Sequence, residues 1–254
     1  MSMRINHNIA SLMAQKNVNR SSSAMSQSYA RLSSGLRITR AADDAAGLGV
    51  SENLRADIAS SQVAMRNTND GISVVQIAEG ALGESHSILT RMRELAMQSA
   101  SETLGDDERA LLQTEFDAIR DEISRLADVT EFNGVSLLDG TTSAMDVQVG
   151  IHSGHTIAIT LDGMSAGDLG LSALTVSTAA GGSSALASID TAIASVSSHR
   201  ASLGASQNRL SHSYRNLEVS LENMTAAESQ IRDVDFASET AQLTKNQILA
   251  QAGV

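Results

Sequence analysis

The chain has 254 residues and a net charge of −11, with no Pro, no Cys and no Trp, and only three Phe and two Tyr. The acidic balance argues against nucleic acid as a partner, because binding to phosphates requires a basic surface. The lack of Cys excludes disulfides and thiolate metal sites, and the lack of Pro removes the residue that most often interrupts a helix.

Residues 1–34 keep a helical spacing of apolar residues but carry many Ser and Asn side chains between them. The apolar positions are Ile5, Ile9, Leu12, Met25, Tyr29 and Leu32. Such a segment buries too little apolar surface to fold alone, so we expect it to become ordered against partners.

The chain also lacks the apolar core of a secretory signal and any apolar run near the ~18 residues that cross a bilayer. We therefore expect neither a cleaved signal peptide nor a membrane partner.

The stretch RLSSGLRITRAADDAAGLGVSENLRADI, residues 31–58, interrupts the helical pattern with Gly, Ser and charged residues. Its charged centre consists of Arg37, Arg40, Asp43 and Asp44. The two Asp residues lack the periodic oxygen ligands of an EF-hand loop, which argues against calcium. We predict capping, hinge and ion-pair roles for them instead.

Three later segments carry mostly apolar residues at the seven-residue spacing, divided into four and three, that packed helices use. They are Ile58, Met65, Ile72, Val75, Leu82, Leu89 and Ala96; Leu112, Phe116, Ile119, Ile123 and Leu126; and Ile189, Ile193, Val196, Arg200, Leu203, Gln207, Leu210, Tyr214, Leu217, Leu221, Met224, Glu228 and Ile231. A helix over about 186–232 would be roughly 70 Å long. The sequence therefore predicts a mainly helical fold, a long antiparallel rod or coiled-coil bundle.

A small β-hairpin region is predicted between the second and third of these segments. MDVQVGIHSGHTIAITL alternates as a strand pair does, and a turn at 153–155 would pair Ile151 with Ile157 and Val149 with Ile159. The preceding FNGVSLLDG has Asn-Gly and Asp-Gly turn signals. Residues 163–185 are rich in Gly, Ser, Ala and Thr, which predicts a surface loop.

The two ends of the chain carry opposite charges. Residues 1–40 contain the bases Arg4, Lys16, Arg20, Arg31, Arg37 and Arg40 and no acid, whereas residues 216–240 contain the acids Glu218, Glu222, Glu228, Asp233, Asp235 and Glu239 against Arg232. This pattern predicts that the two segments meet, either within one molecule or between neighbouring molecules. The alternative is two solvated surfaces that never meet.

Few residues carry a pattern with catalytic or metal-binding chemistry. GMSAG, residues 163–167, matches the nucleophile elbow of hydrolases with Ser165 in the centre, but an elbow needs a parallel sheet beneath it and a helix after it. His152 and His155 lie near the predicted hairpin turn without a third metal ligand. We therefore predict no enzymatic activity, no cofactor and no metal site, with a hydrolase built on Ser165 as a remote alternative.

Five stretches of the chain, in order, resemble bacterial flagellin. They are MRINHNIASLMAQKNV, RLSSGLRITRAADDAAGLGVSENLRADI, AEGALGESHSILTRMRELAMQSA, EFNGVSLLDG and ESQIRDVDFASETAQLTKNQILAQAG. The resemblance covers nearly the whole chain outside about 141–185. It implies a structural subunit that polymerises with itself into the filament of the bacterial flagellum, outside the cell, for motility.

The resemblance also implies how the chain is divided. Residues 1–40 with 236–254 would pair as an inner helical layer, and residues 41–235 would form a rod-like domain that includes a spoke, 34–47, and the hairpin and loop region, 132–185. Arg37, Arg40, Asp43 and Asp44 then become candidate subunit contacts. Large outer domains are absent, so we expect a thin and relatively smooth filament, and the family usually continues beyond AQAGV to a Leu-rich end.

Several partners follow from the resemblance alone. They are the flagellar export apparatus, an export chaperone, the filament cap and the hook-junction proteins. The segment LTRMRELAMQ is similar to the motif by which some flagellins contact a vertebrate Toll-like receptor, which makes Arg91, Leu95 and Glu115 candidate recognition residues. Arg91 and Leu95 are four apart and are predicted to share a helix face. The same residues could instead be filament contacts.

Two alternatives to the filament subunit remain open on the sequence alone. A hook-filament junction protein shares the terminal motifs, and a soluble coiled-coil binding module would explain the apolar spacing but not the full order of the motifs.

Overall fold

The computed structural model describes residues 8–252, so the predicted apolar position Ile5 and the base Arg4 lie outside the described residues. Five helices are present: α1 (Ile9–Ser34), α2 (Ala45–Ser99), α3 (Asp106–Val129), α4 (Ala179–Arg232) and α5 (Phe236–Ala252). Four short strands lie between α3 and α4: β1 (Glu131–Phe132), β2 (Val135–Ser136), β3 (Ala144–Gln148) and β4 (Thr156–Thr160). The predicted mainly helical fold with a hairpin region and paired terminal helices is confirmed.

The chain divides into two compact units, one formed by Met1–Ser60 with Val219–Val254 and the other by Ser61–Glu218. In the first unit, α1 and α5 run side by side, and the Gln247 side-chain amide donates a hydrogen bond to the Tyr29 hydroxyl at 3.0 Å. The Asn8 side chain accepts a hydrogen bond from the Ser11 N–H and caps the start of α1. Gly35 ends the helix with φ of 72°, a left-handed conformation that glycine adopts without strain.

In the second unit, parts of α2 and α4 pair in opposite directions. Arg93 contacts Asp190 at 2.7 Å, and Glu79 contacts Arg200 at 3.8 Å, so residues further along α2 meet residues further back along α4. On α4, the apolar residues at every seventh position are buried: Ile189, Val196, Leu203, Leu210 and Leu217. The heptad prediction is therefore confirmed at these positions. The predicted intermediate positions Ile193, Arg200 and Gln207 are only half-buried, because Ala192, His199 and Ser206 fill the seam instead.

Two glycines allow backbones to approach closely in this unit. A Cβ on Gly71 of α2 would lie 3.0 Å from the Val147 side chain of β3, so Gly71 leaves room for the hairpin. A Cβ on Gly182 of α4 would lie within 2.9 Å of the Ala96 carbonyl oxygen at the end of α2. The absence of a side chain at both positions lets strand and helix pack directly onto α2.

The hairpin register differs from the sequence prediction. β3 and β4 are antiparallel, and Val147 lies opposite Ile157 while Met145 lies opposite Ile159. The predicted pairing of Val149 with Ile159 is therefore wrong. The connection is longer than predicted: the Val149 N–H donates to the His155 carbonyl, and the Gln148 side-chain amide donates to the Gly150 and His152 carbonyls at 2.7 Å each. The shift is even in residue number, so the same side chains still face the core.

Residues 163–185 are not the surface loop that their composition predicts. Leu171 and Val176 are fully buried, and α4 already begins at Ala179. The Ser99 hydroxyl donates to the Val176 carbonyl, and the Val176 N–H donates to the Gln113 side chain. The segment is therefore packed across the turn between α2 and α3.

Arg109 holds that turn together from the first turn of α3. Its side chain is buried, and it donates to the Ser99 carbonyl at 3.1 Å and to the Ser101 carbonyl at 3.0 Å. It also pairs with Asp106 at 3.2 Å. The Ser99 carbonyl belongs to the last residue of α2 and the Ser101 carbonyl follows it, so no helical N–H remains to bond either of them.

Replacing Arg109 with Ala should lower the free energy of unfolding by about 2–3 kcal/mol, because the hydrogen bonds of a charged donor to buried carbonyls are lost. Urea denaturation monitored by circular dichroism measures the change. The control is Arg125→Ala on the same helix, whose side chain is 60% exposed and pairs with Glu122. The control should lose less than about 0.5 kcal/mol, and equal losses would contradict the role of Arg109.

His199 makes the stability of the second unit depend on pH. Its ring is buried, Nδ1 lies 3.1 Å from the Asp162 carboxylate, and burial lowers the His199 pKa although Asp162 partly opposes this. The folded protein thus binds this proton less readily than the unfolded chain, whose His pKa is about 6.5. The contribution of His199 is complete above that value and is lost as the pH falls below it.

We expect wild-type protein to lose more stability than His199→Gln when the pH falls from about 7.5 to about 5.5, because Gln cannot take up the proton. Thermal unfolding of both proteins at the two pH values measures the difference. Acidic groups titrate alike in both proteins, so parallel losses would show that His199 is not responsible.

Candidate functional site

The predicted spoke is a turn organised around the Asp43 carboxylate. Its oxygens accept hydrogen bonds from the Thr39 hydroxyl at 2.9 Å, from the Thr39 and Arg40 backbone N–H groups at 3.2 Å, and from the Gln27 side-chain amide at 2.9 Å. The Thr39 hydroxyl is the main cause that lowers the Asp43 pKa below its ordinary value. Asp43 therefore fixes the direction of the chain between α1 and α2.

The other charged residues of this segment have separate local contacts. The Asp44 carboxylate accepts from the Gly47 N–H at 2.8 Å and caps the start of α2. The Arg37 guanidinium donates to the Ile231 carbonyl, and the Arg37 N–H donates to the Arg232 carbonyl, both at 2.6 Å. Among residues 8–252, neither Arg37 nor Arg40 forms an ion pair with Asp43 or Asp44. The predicted capping role is present, whereas the predicted ion pairs within the segment are not.

Arg91 and Glu115 are brought together at the surface of α2 and α3. The Arg91 guanidinium donates to one Glu115 oxygen from Nη2 at 2.8 Å and from Nε at 3.1 Å, and it also pairs with Glu94 at 3.0 Å. Arg91 is 51% exposed and Glu115 is 45% exposed. Hydrogen bonds from Arg91 to Glu115 raise the Arg91 pKa. Arg91 and Glu115 thus form an accessible pair of opposite charges that hydrogen bonds hold in place.

Leu95 does not share this accessible face. It is 1% exposed and belongs to the core of the second unit together with Met92 and Phe116. Residues four apart on a helix differ by about 40° in direction, and the edge of the core runs between Arg91 and Leu95. The prediction that both residues are presented together is therefore corrected: a partner can touch Arg91 and Glu115 without touching Leu95.

The terminal helices expose large apolar side chains. On α1, Ile9, Leu12 and Met13 are about 60% exposed, and on α5, Ile248 and Leu249 are 60% and 50% exposed. The helical spacing of these residues is visible in the sequence, but their exposure in the folded subunit was not predicted from it. In the sequence, the signal for this exposure is that the apolar residues stand among polar residues, which cannot bury them. Exposed apolar clusters of this kind mark interaction sites.

The residues that matched chemical motifs in the sequence have local contacts in the structure. The Ser165 hydroxyl donates to the Asp168 carboxylate at 2.6 Å, and the strand before it belongs to an antiparallel pair, so the match to a hydrolase elbow is fortuitous. The His152 and His155 rings contact each other edge to face at the hairpin tip.

Within residues 8–252, no three His, Cys, Asp or Glu side chains form a group that could hold a metal ion. In the same part of the chain, no helix has the length and apolar character needed to cross a membrane.

Two protein-family models match the chain. The bacterial flagellin N-terminal helical region matches residues 5–143, and the bacterial flagellin C-terminal helical region matches residues 186–254. The unmatched residues between them contain β3, β4 and the packed segment before α4. The resemblance noted from the sequence motifs is thus confirmed over most of the chain.

Similar proteins support the same assignment. The chain is 46% identical to a flagellin of Halalkalibacterium halodurans and 43% identical to a flagellin of Bacillus subtilis, and in each case the match covers 98% of this chain and 93% of the relative. The crystal structure of Bacillus cereus flagellin matches with a TM-score of 0.55 at 32% identity, covering 64% of this chain and 94% of that one.

A putative flagellar hook-associated protein from Vibrio parahaemolyticus has a TM-score of 0.63 but only 17% identity, covering 75% of this chain and all of that one, which shows a shared fold alone. The matches therefore do not favour a junction protein or an unrelated coiled-coil module. With both terminal regions matched and whole-length relatives named flagellin, the chain belongs to the bacterial flagellin family and is a structural subunit of the bacterial flagellar filament.

Proposed function

We propose that subunits assemble through their terminal helices, with residues 1–40 and 236–254 as an inner layer of the filament and residues 41–235 as the surrounding rod. The spoke, 34–47, would join the two layers, and the hairpin and loop region, 132–185, would belong to the rod. The observation that carries this proposal is the exposed apolar cluster on α1 and α5. Family membership supplies the polymer in which that cluster would be covered.

Covering the apolar cluster of the terminal helices would stabilise a polymer. Burying one large aliphatic side chain contributes about 1.5–3 kcal/mol, and Ile9, Leu12 and Met13 on α1 together with Ile248 and Leu249 on α5 are half or more exposed. A monomer gains little from these residues. A contact between identical subunits that does not close on itself continues as a helical filament, and every added subunit covers the same cluster again.

Further partners are proposed from family membership. They are the flagellar export apparatus, an export chaperone, the filament cap and the hook-junction proteins, and export would proceed without a cleaved signal peptide. The proposed role is purely structural: no enzymatic activity, no cofactor, and no nucleic acid or membrane as a partner. The net charge of −11 supports the exclusion of nucleic acid.

We also propose that the Arg91–Glu115 pair is recognised by a flagellin-sensing Toll-like receptor of vertebrates. An exposed Arg that is already held in place by a carboxylate loses little freedom when it binds, which favours it as a centre of recognition. The same pair could be a filament contact. Both roles are compatible, because a surface covered in the filament is free in the monomer.

Assembly of the purified chain, observed by electron microscopy, tests the proposed function. Wild-type protein should form filaments, and Asp43→Arg with Asp44→Arg should form shorter and fewer filaments, because the turn loses the acceptor of Thr39, Arg40 and Gln27 and α2 loses its cap. The monomer should lose less stability in thermal unfolding than the filament loses in assembly, since the cap contributes only about 0.5–2 kcal/mol once per monomer whereas the defect recurs at every subunit contact. Asp43→Asn is the milder control because it keeps an acceptor oxygen. Filaments of normal length from the charge-reversed protein would contradict the role of the spoke.

Receptor signalling by monomeric Arg91→Ala should fall at least about tenfold below that of wild-type monomer, since a central Arg contributes about 2 kcal/mol or more to binding. A reporter-cell assay measures the response. Arg93→Ala is the matched control: it lies on the same helix, has 44% exposure and pairs with Asp190 rather than Glu115. Intact filaments should signal less than monomers. Equal signalling from both variants and wild type would eliminate the proposed site.

A further inference from the structure

The opposite charges at the two ends of the chain are only partly matched within one molecule. Arg31 pairs with Glu239 at 3.6 Å, and Arg37 donates to the Ile231 carbonyl. Asp233 accepts a hydrogen bond from the Ser229 hydroxyl at 2.7 Å. These contacts engage charged residues at the C-terminal ends of α1 and α4.

The remaining acids near the C-terminal end are also engaged or partly covered. The Asp235 carboxylate accepts from the Ala237 and Ser238 N–H groups and caps α5. Glu228 is half-buried on α4. Among the six acids of residues 216–240, this leaves Glu218 and Glu222, both exposed and without an ion pair within residues 8–252.

Two basic residues on α1 resemble Glu218 and Glu222 in their exposure and in their lack of an ion pair within residues 8–252. Lys16 and Arg20 are exposed and form no ion pair with any residue of 8–252. Arg40 is exposed as well, but it lies in the turn between α1 and α2 and not on a helix. One subunit therefore presents a pair of unmatched bases on α1 and a pair of unmatched acids on α4.

The two pairs have the same geometry. Lys16 and Arg20 are four residues apart on α1, and Glu218 and Glu222 are four residues apart on α4. Each pair thus lies on one face of its helix, with about 6 Å between the two positions along the axis. Because the spacings are equal, both ion pairs form whether the helices meet in parallel or antiparallel directions.

Exposed apolar residues accompany both pairs. Leu12 lies one turn before Lys16 and is 61% exposed, and Val219 follows Glu218 and is 56% exposed. An interface with an apolar contact beside complementary charges has the composition expected for protein recognition.

We propose that Lys16 and Arg20 of one subunit pair with Glu218 and Glu222 of a second copy of this chain. The inference rests on the proposed assembly and names the residues of one of its contacts. Each subunit carries both halves, so the contact is between unlike surfaces and continues from subunit to subunit. Each repeat of this contact along the polymer then contains the same two ion pairs.

Charge exchange between the two surfaces tests the proposal. The variants are Lys16→Glu with Arg20→Glu, Glu218→Lys with Glu222→Lys, and all four substitutions together, which restores the net charge of −11. The critical concentration for assembly of each full chain is measured by sedimentation, with electron microscopy of the pellets. Circular dichroism of the monomers verifies that the helices are retained.

Each double variant should raise the critical concentration at least about tenfold, because two attractions become two repulsions, and the fourfold variant should return close to the wild-type value. In about 1 M NaCl, where the Debye length is about 3 Å, the double variants should approach wild type. Double variants that assemble like wild type would overturn the pairing, and so would a fourfold variant that assembles no better than folded double variants. Failure of the wild-type chain itself to form filaments would instead refute the proposed assembly.

Discussion

The antiparallel seam between α2 and α4 is the constraint on which the second unit depends. Buried residues recur every seven positions along α4, and residues further along α2 meet residues further back along α4, from Gly71 near Leu210 to Arg93 beside Asp190. A one-residue slip would turn every buried residue away from its partner. The hairpin packs on this seam at Gly71, and the segment before α4 packs across its end, so both depend on the same register.

Helix periodicity was predictable from the sequence because a seven-residue apolar repeat sustained over many turns is typical of packed helices and does not suit a strand or a loop. The hairpin register was not predictable, because the length of its connection is set by the Gln148 amide, which binds two carbonyls of the loop. Residues 163–185 were mistaken for a surface loop because small residues are typical both of loops and of close backbone contact, as at Gly182 in the first turn of α4. Leu95 was expected at the surface beside Arg91, but it is buried. Sequence spacing alone does not show that the edge of the core runs between two residues only one helical turn apart.

The contact residues show the same division between what sequence reveals and what it does not. Asp44 was identifiable as a capping residue because Asp is strongly preferred just before a helix begins. The hydrogen-bond partners of Asp43 were not identifiable, since Gln27 lies sixteen residues away on α1. The charge contrast between the chain ends was visible in the sequence, but only the structure separates Arg31, which is matched inside the subunit, from Lys16 and Arg20, which are not. In a polymer, charged residues that have no ion-pair partner within their own subunit are the candidates for contacts with neighbouring subunits.

The way the hairpin closes has a consequence for how such a subunit can vary. The Val149 N–H donates a hydrogen bond to the His155 carbonyl, so the two ends of the loop are held together beneath its tip. Extending a loop whose ends are already held together costs little, about 0.6 kcal/mol for each doubling of its length. The exposed tip at Ser153 and Gly154 is therefore a site where foreign sequence can be inserted and displayed once per subunit without disturbing the helices below.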